Sequence, residues 1–157
     1  MNDQVTALLF DVVARLQQSI QARDCPAIAA LAGDRVLYLS DYDYLRDDVT
    51  AAAFETRAAA KAVEIDARRW VLAVPQVWVI TRDGVLTRAV SNHPLREGEQ
   101  EAITWMAYDR SDGVDYGRVP YARRPSGEPV FGEPEVITVG VRPDVHMPGY
   151  TLLRALT

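Results

Sequence analysis

The chain has one cysteine and one lysine among its 157 residues, and each scarcity excludes a class of chemistry. Cys25 alone can form neither an internal disulfide nor a zinc site built from several thiolates, so we expect it to be a packing residue. Lys61 is the only candidate for Schiff-base catalysis, because arginine stays protonated at ordinary pH. It lies in an alanine-rich segment typical of a helix, and we expect it to be a solvated side chain.

Long apolar runs and an excess of basic residues are also missing. No run approaches the ~20 residues needed to span a bilayer. The N-terminal MNDQVTALLFDVV has no basic region before its apolar part, so no signal peptide is expected. The net charge is −5, which disfavours binding to nucleic acids and to anionic membranes. The sequence therefore predicts a cytoplasmic protein without nucleic-acid or membrane partners.

The common catalytic signatures are absent as well. The chain has no Gly-x-Ser-x-Gly, no glycine-rich phosphate loop, no His-Glu-x-x-His and no dinucleotide fingerprint. Its two histidines, His93 and His146, are too far apart along the chain to show a ligand spacing. We therefore expect neither a metal nor a cofactor.

The first part of the chain has helical periodicity. Residues 3–22 place apolar side chains at three- and four-residue steps, which predicts an amphipathic helix. A second, short helix is predicted over 24–33, with Asp24 as its N-cap, Pro26 in its first turn and Gly33 at its end. A strand is predicted over 35–40, and an alanine-rich third helix over 49–63.

After about residue 67 the periodicity changes from 3.6 to 2. The strands predicted here are 68–81, with a bulge or edge at Pro75, then 85–91, 101–110, 114–121, 135–142 and 150–156. Asp-Gly at 83–84 predicts a tight hairpin, and the proline-rich segment 122–135 predicts a long surface loop. Helices followed by an antiparallel meander indicate one α+β domain over 1–157.

This element order, with ARDCPAIAALAGDRVLYLS at residues 22–40, resembles the cone-shaped nuclear-transport-factor-2-like superfamily. That superfamily includes SnoaL-like polyketide cyclases and ketosteroid-isomerase-like enzymes. The resemblance implies a cystatin-like cone, in which N-terminal helices pack on a curved, mainly antiparallel sheet. It does not by itself imply one function, because the superfamily contains enzymes, binding modules and assembly domains.

The acidic stretch LYLSDYDYLRDD, residues 37–48, does not fit a calcium loop. Leu45 and Arg46 stand where that loop needs an acid or amide and then a glycine, and Ala52 stands where it needs a glutamate. Asp47 or Asp48 is expected to cap the third helix.

The resemblance to ketosteroid-isomerase-like enzymes implies a catalytic base at the end of the first strand. Asp41 is the nearest positional match, and Asp43 comes next. A tyrosine hydroxyl, from Tyr38, Tyr42 or Tyr44, would hydrogen-bond a developing enolate. The alternative is a simple turn, in which the aspartates accept hydrogen bonds from backbone amides.

Alternate residues of two strands suggest a ligand cavity. Trp70, Leu72, Val74, Gln76 and Trp78 share one side of their strand, and Ile103, Trp105, Ala107 and Asp109 share one side of theirs. Two tryptophans with Gln76 and Asp109 would line a flat apolar cavity. The alternative is an ordinary core or a dimer face.

Two functions are consistent with these patterns. The first is a cofactor-free isomerase or cyclase that uses a carboxylate base on a hydrophobic or aromatic small molecule. The second is a non-catalytic ligand-binding or homodimeric interaction module, and we expect a homodimer in either case. The predicted catalytic residues are Asp41, Asp109 and His93, and the predicted ligand-binding residues are Tyr38, Tyr42, Gln76, Trp78 and Trp105.

Overall fold

A computed structural model describes residues 1–91, 93–137 and 144–157 of the chain. The described residues form three helices and eight strands. In chain order these are α1 Asp3–Gln21, β1 Ala27–Ala32, β2 Val36–Asp41, α2 Asp48–Glu64, β3 Arg69–Thr81, β4 Gly84–Ala89, β5 Glu99–Asp109, β6 Gly113–Arg123, β7 Pro129–Phe131, β8 Glu135–Val136 and α3 Tyr150–Leu156.

The strands form a strongly curled antiparallel sheet in the order β2-β1-β3-β5-β6-β7. Strand β4 extends the sheet from the far end of β3, and β8 pairs with β6. A helix followed by a curled half-barrel of this kind is compatible with a cone-like α+β fold. The predicted fold class is thereby confirmed.

The sheet separates two hydrophobic cores, because successive residues of a strand point to opposite faces. On one face α1 packs against Val71 and Ala73 of β3 and against Trp105 of β5. On the other face α2 and α3 pack against Leu72 and Met106. Strand β3 is buried on both faces over most of its length, which explains its nearly continuous apolar sequence.

Both long helices begin where the sequence predicts. The Asn2 side chain accepts a 2.9 Å hydrogen bond from the Val5 amide at the start of α1. Asp47 accepts a 2.7 Å bond from the Thr50 amide at the start of α2, so the capping role predicted for Asp47 or Asp48 belongs to Asp47.

Pro75 lies in the middle of β3 without a bulge in the ladder to β5. The pairing of β3 with β5 runs without a break from Arg69 to Val79. On its other side β3 pairs with β1 as far as Ala73, and with β4 from Gln76 onward. Pro75 therefore occupies a short local edge, where its missing N–H removes no ladder hydrogen bond.

The short helix predicted over 24–33 is wrong, because Ala27–Ala32 is strand β1. This strand pairs with β2 on one side and with β3 on the other, and residues 27–31 are buried. A strand covered on both faces is apolar at every position, and a short apolar run does not distinguish a strand from a buried helix.

The strand predicted over 150–156 is also wrong, because these residues form helix α3. Gly149 precedes the helix with φ 96°, a left-handed conformation that ends any extended backbone. Leu152 is then fully buried in the core between α2 and the sheet.

The segment 122–135 is only partly a loop. Arg123 still belongs to β6, and the short strand β7 pairs with residues 121–123 to form a hairpin. Of the strand predicted over 135–142, the structure describes Glu135–Val136 as β8, while 138–143 lie outside the described residues.

Candidate functional site

One cleft of about 480 Å³ brings together residues of β3, β5 and β6, the β3–β4 hairpin and the segment before α3. We call it the Trp78 cleft, and it is lined by Gln76, Trp78, Asp83, Gly84, Val85, Thr87, Thr104, Trp105, Tyr116, Gly117, Ile137, Asp144, His146, Met147 and Pro148. Its volume lies within the range of about 300–1,000 Å³ that is usual for small-molecule sites.

A chain of two hydrogen bonds crosses one wall of the cleft. The indole Nε1 of Trp78 donates to Thr104 Oγ1 at 2.8 Å. The Thr104 hydroxyl donates to Gln76 Oε1 at 2.7 Å. All three side chains are buried, so this polar chain is fixed in place.

The hydrogen-bond chain has a single direction, and this orients the Gln76 amide. An indole N–H can only donate, so Thr104 accepts from Trp78, and in the structure the Thr104 hydroxyl hydrogen is directed at Gln76 Oε1. The Gln76 side-chain oxygen therefore accepts the Thr104 hydrogen, and the NH2 group is the part of the amide that can still bind a ligand. Within the described residues that NH2 group makes no hydrogen bond, so it is available to an acceptor in the cleft.

The two tryptophans of the cleft contribute in different ways. Trp78 lies on the same strand face as Gln76, and the guanidinium of Arg118 lies 5.1 Å from its ring centroid. Trp105 is fully buried in the core beneath α1, and its register partner Ala73 shares that face. Trp78 therefore forms a side wall, whereas Trp105 with its partner Gly117 forms part of the floor.

The segment 144–149 forms the wall opposite the sheet. The His146 amide donates a 2.8 Å hydrogen bond to the Asp144 side chain, and the Met147 amide bonds to the Asp144 carbonyl at 3.0 Å. A Cβ at Gly149 would lie 2.9 Å from the Met106 sulfur, so only glycine allows this close approach to the sheet.

A second cavity of about 630 Å³ continues from the cleft toward α2. It shares Gln76, Thr87 and His146 with the cleft, and it reaches Tyr44 and Glu55. Glu55 is buried, and its carboxylate accepts hydrogen bonds from the Tyr44 hydroxyl at 2.7 Å and from the Leu152 amide at 3.1 Å. Burial and the neighbouring Glu55 charge raise the pKa of Tyr44, so its hydroxyl stays a donor.

Glu55 was not predicted from the sequence. On an alanine-rich helix a glutamate is typical of the solvent side, and its two partners are 11 and 97 residues away along the chain. The available signal was that Glu55 directly follows Phe54 and lies one turn before Ala58 and Ala59, all of which are buried.

Three of the predicted ligand-binding residues meet in the cleft, namely Gln76, Trp78 and Trp105. The predicted tyrosines lie elsewhere. Tyr38 on β2 hydrogen-bonds Asp11 of α1 and stacks on the Arg15 guanidinium, whose central carbon is 3.6 Å from the ring centroid. Tyr42 is exposed in the turn after β2.

The predicted catalytic Asp41 lies at the end of β2 in a turn. Its Oδ1 accepts a 2.7 Å hydrogen bond from the Asp43 amide, and its Oδ2 is 3.2 Å from Arg57 of α2. These contacts are those of a turn aspartate with an ion-pair partner. Asp41 does not line the Trp78 cleft.

The other two predicted catalytic residues are also away from the cleft. Asp109 is buried at the end of β5, 3.0 Å from the Arg69 guanidinium. Burial raises its pKa, but hydrogen bonding from Asn2, the Ser111 amide and Arg69 outweighs this and holds the pKa at about 2. His93 lines a different cavity, beyond the C-terminal end of α1.

Two further findings concern the described residues as a whole. None of their helices combines the length and the apolar character required to cross a membrane. Across the same ranges, no three His, Cys, Asp or Glu side chains are grouped so that they could hold a metal ion.

Comparisons with protein-family models, with curated proteins and with solved structures gave no match for this chain. The fold and the site are therefore interpreted from their own geometry.

Proposed function

We propose that the chain is a small-molecule-binding protein whose ligand occupies the Trp78 cleft. The ligand class is a hydrophobic or aromatic molecule with one hydrogen-bond acceptor, such as a ketone oxygen. In architecture the protein resembles the cone-shaped nuclear-transport-factor-2-like superfamily, in which α1 packs on a curled antiparallel sheet.

The observation that carries this proposal is the oriented Gln76 amide. Its oxygen is held by Thr104, which is held in turn by Trp78, so the NH2 group is presented to a largely apolar cleft. A donor fixed before binding loses little conformational entropy when the ligand arrives. Apolar walls with one placed donor are what an aromatic carbonyl compound requires.

Ligand binding is better supported than proton transfer at this site. An isomerase or cyclase needs a base within hydrogen-bond reach of the substrate. Neither of the predicted bases, Asp41 and Asp109, lines the cleft, and each carboxylate has an arginine partner. Asp144 does line the cleft, but its carboxylate already accepts a hydrogen bond from the His146 amide. A carboxyl group with a pKa near 2, as in Asp109, is also a weak base at neutral pH. The homodimer expected from the sequence stays a prediction.

The proposal is tested with a panel of polycyclic aromatic ketones, each paired with its parent hydrocarbon. Binding is followed by tryptophan fluorescence and by thermal shift, because a bound ligand stabilises the folded state by mass action. Ketones are expected to bind more tightly than their hydrocarbons. One neutral hydrogen bond should make the affinity for a ketone about twofold to tenfold higher than for its hydrocarbon. Gln76→Leu removes the donor and should abolish this difference in affinity.

Gln100→Leu is the matched control, because Gln100 is a glutamine of β5 whose side chain donates to the Tyr121 carbonyl outside the cleft. It should leave the preference for ketones unchanged. The proposal fails if no member of the panel binds. It also fails if the two glutamine variants lose the preference equally.

A further inference from the structure

Another cavity, separate from the Trp78 cleft, lies where the sheet extends beyond the C-terminal end of α1. We call it the Arg23 cavity; its volume is about 620 Å³, and it is lined by Ile20, Arg23, Cys25, Val77, Arg88, Val90, Ser91, His93, Pro94, Leu95, Glu101, Arg123 and Gly127. It shares no lining residue with the Trp78 cleft.

The floor of this cavity is a row of cross-strand partners. Val77 of β3 pairs with Arg88 of β4 on one side and with Glu101 of β5 on the other. This row lies on the same face of the sheet as Val71 and Ala73, which α1 covers. Because α1 ends at Gln21, the row extends beyond the end of that helix. Among the described residues, the floor is therefore a part of the sheet that extends past the last turn of α1.

Two of the three arginines in the lining have donor groups that make no hydrogen bond to any residue the structure describes. The donors of Arg88 are mostly occupied, because two of its nitrogens bind the Glu99 carboxylate at 2.7 and 3.0 Å. Arg123 donates through Nε to Glu101 at 2.8 Å and through Nη1 to the Gly127 carbonyl at 2.9 Å. Its Nη2 makes no hydrogen bond to the described residues, and Arg123 lines the cavity, so this nitrogen is available to a ligand there.

Arg23 has no ion-pair partner at all within the described residues. It directly follows the C-cap of α1 and has φ 65°, a left-handed conformation in which glycine is the usual residue. Arg23 and Arg123 line both this cavity and a neighbouring one, so they lie at a common wall. Among the described residues, the cavity lining thus combines a guanidinium without an ion-pair partner and one held by Glu101, in a protein whose net charge is −5.

The geometry points to a binding site for an organic monocarboxylate in the Arg23 cavity. The carboxylate would be held by Arg23 and the free edge of Arg123, since guanidinium groups match carboxylates in shape and charge. Its apolar body would lie on Ile20, Val77 and Leu95. A single negative charge fits better than the double charge of a phosphate monoester, because Glu101 stands beside Arg123.

The single cysteine makes the test specific to this cavity. Cys25 is half-buried and lines it, and no other thiol is present in the chain. Alkylation by the neutral reagent N-ethylmaleimide, followed by mass spectrometry, therefore reports occupancy here and not in the Trp78 cleft. The probes are octanoate, its neutral analogue octanamide, and octyl phosphate.

Octanoate is expected to slow the alkylation of Cys25 to a saturating limit. Octanamide should need about tenfold more to give the same protection, because it lacks the charge that the arginines bind. Arg23→Gln should raise the half-protecting concentration of octanoate about tenfold or more. Arg35→Gln is the matched control, since Arg35 is exposed and does not line the cavity, and it should change nothing.

Arg123 needs a paired variant, because removing it alone leaves the buried Glu101 charge uncompensated. The double variant Arg123→Gln with Glu101→Gln removes both charges and should also weaken protection. The inference is overturned if octanamide protects as well as octanoate, if the Arg23 and Arg35 variants behave alike, or if none of the probes changes the rate or the melting temperature. Stronger protection by octyl phosphate would overturn the choice of a carboxylate. Gln76→Leu should leave protection intact, which separates this result from the Trp78 cleft.

Discussion

The Glu55 carboxylate on α2 accepts a 3.1 Å hydrogen bond from the backbone amide of Leu152, a residue that follows it by 97 positions. Its other oxygen accepts from the Tyr44 hydroxyl. One buried side chain therefore holds the first turn of α3 and the turn before α2 together. Since the segment that precedes α3 forms one wall of the Trp78 cleft, this contact also supports the candidate site.

Glu55→Gln is expected to destabilise the protein. A glutamine keeps one oxygen acceptor but presents an NH2 group to a second donor, which leaves a buried donor without a partner. The free energy of unfolding should fall by about 1–3 kcal/mol, as measured by urea denaturation. Affinity of the cleft for its ligand should fall too, because the wall at 144–149 loses an anchor.

Glu64→Gln is the control for this prediction. Glu64 lies on the same helix, is exposed, and forms an exposed ion pair with Lys61. It should change the free energy of unfolding by no more than about 0.5 kcal/mol. Equal effects of the two substitutions would mean that the buried contacts of Glu55 contribute nothing to stability.

Asp109 gives the protein a defined sensitivity to acid. Its folded-state pKa of about 2 lies below the ordinary value of 3.8. A lowered carboxyl pKa stabilises the fold above the unfolded pKa, and this contribution is lost as the pH falls from about 4 toward 2. The wild type should therefore exceed Asp109→Asn in stability at pH 7, by on the order of 1–2 kcal/mol, and the gap should close by pH 2. Denaturation at several pH values measures the gap.

The neighbouring Asp112 provides the comparison, since it is exposed in the same turn. Asp112→Asn should show little difference from the wild type at any pH. A gap for Asp109→Asn that stays constant from pH 7 to pH 2 would contradict the role assigned to its ionised form.

Helices α1 and α2 and the meander from β3 to β6 could be predicted from the sequence, because each has a local signal. Helix α1 shows a 3.6 period, α2 has an aspartate cap and many alanines, and the β3–β4 hairpin has its Asp-Gly turn. Strand β1 could not be predicted in the same way. The alanine content of its sequence, AIAALA, predicts a helix. It forms a strand because it pairs with β2 on one side and β3 on the other. α3 was missed for a similar reason, since its packing on α2 outweighs the β-propensity of Tyr150 and Thr151.

In the candidate site, too, residues with a local sequence signal were identified and residues fixed by distant contacts were not. Gln76 and Trp78 were identified because alternate residues of one strand share a face, which is a local rule. Trp105 lines the same cleft, but the register of β5 turns its side chain to the α1 core, so it contributes only to the floor. Register between strands and contacts such as Glu55 with Leu152 depend on how distant segments meet, and no local pattern contains that information.

Thr104→Val should uncouple the hydrogen-bond chain of the Trp78 cleft. Valine keeps the size of threonine but leaves the Trp78 indole N–H without its acceptor and Gln76 without its donor. We expect a loss of about 1–3 kcal/mol in the free energy of unfolding and a loss of the preference for ketones over hydrocarbons. Thr87→Val removes a hydroxyl from the same cleft, where Thr87 is exposed, and should have neither effect.

Arg23→Gly should separate stability from binding at the Arg23 cavity. Glycine adopts φ 65° without strain, so the free energy of unfolding should rise by up to about 1 kcal/mol. The same change removes a guanidinium from the proposed carboxylate site, so octanoate should protect Cys25 less. Asp66→Gly is matched to it, because Asp66 follows the C-cap of α2 with φ 50° and lies outside the cavity. It should keep full protection, with a smaller gain in stability because the exposed 3.0 Å ion pair with Arg110 is lost. Full protection in a stabilised Arg23→Gly variant would show that Arg23 does not bind the carboxylate.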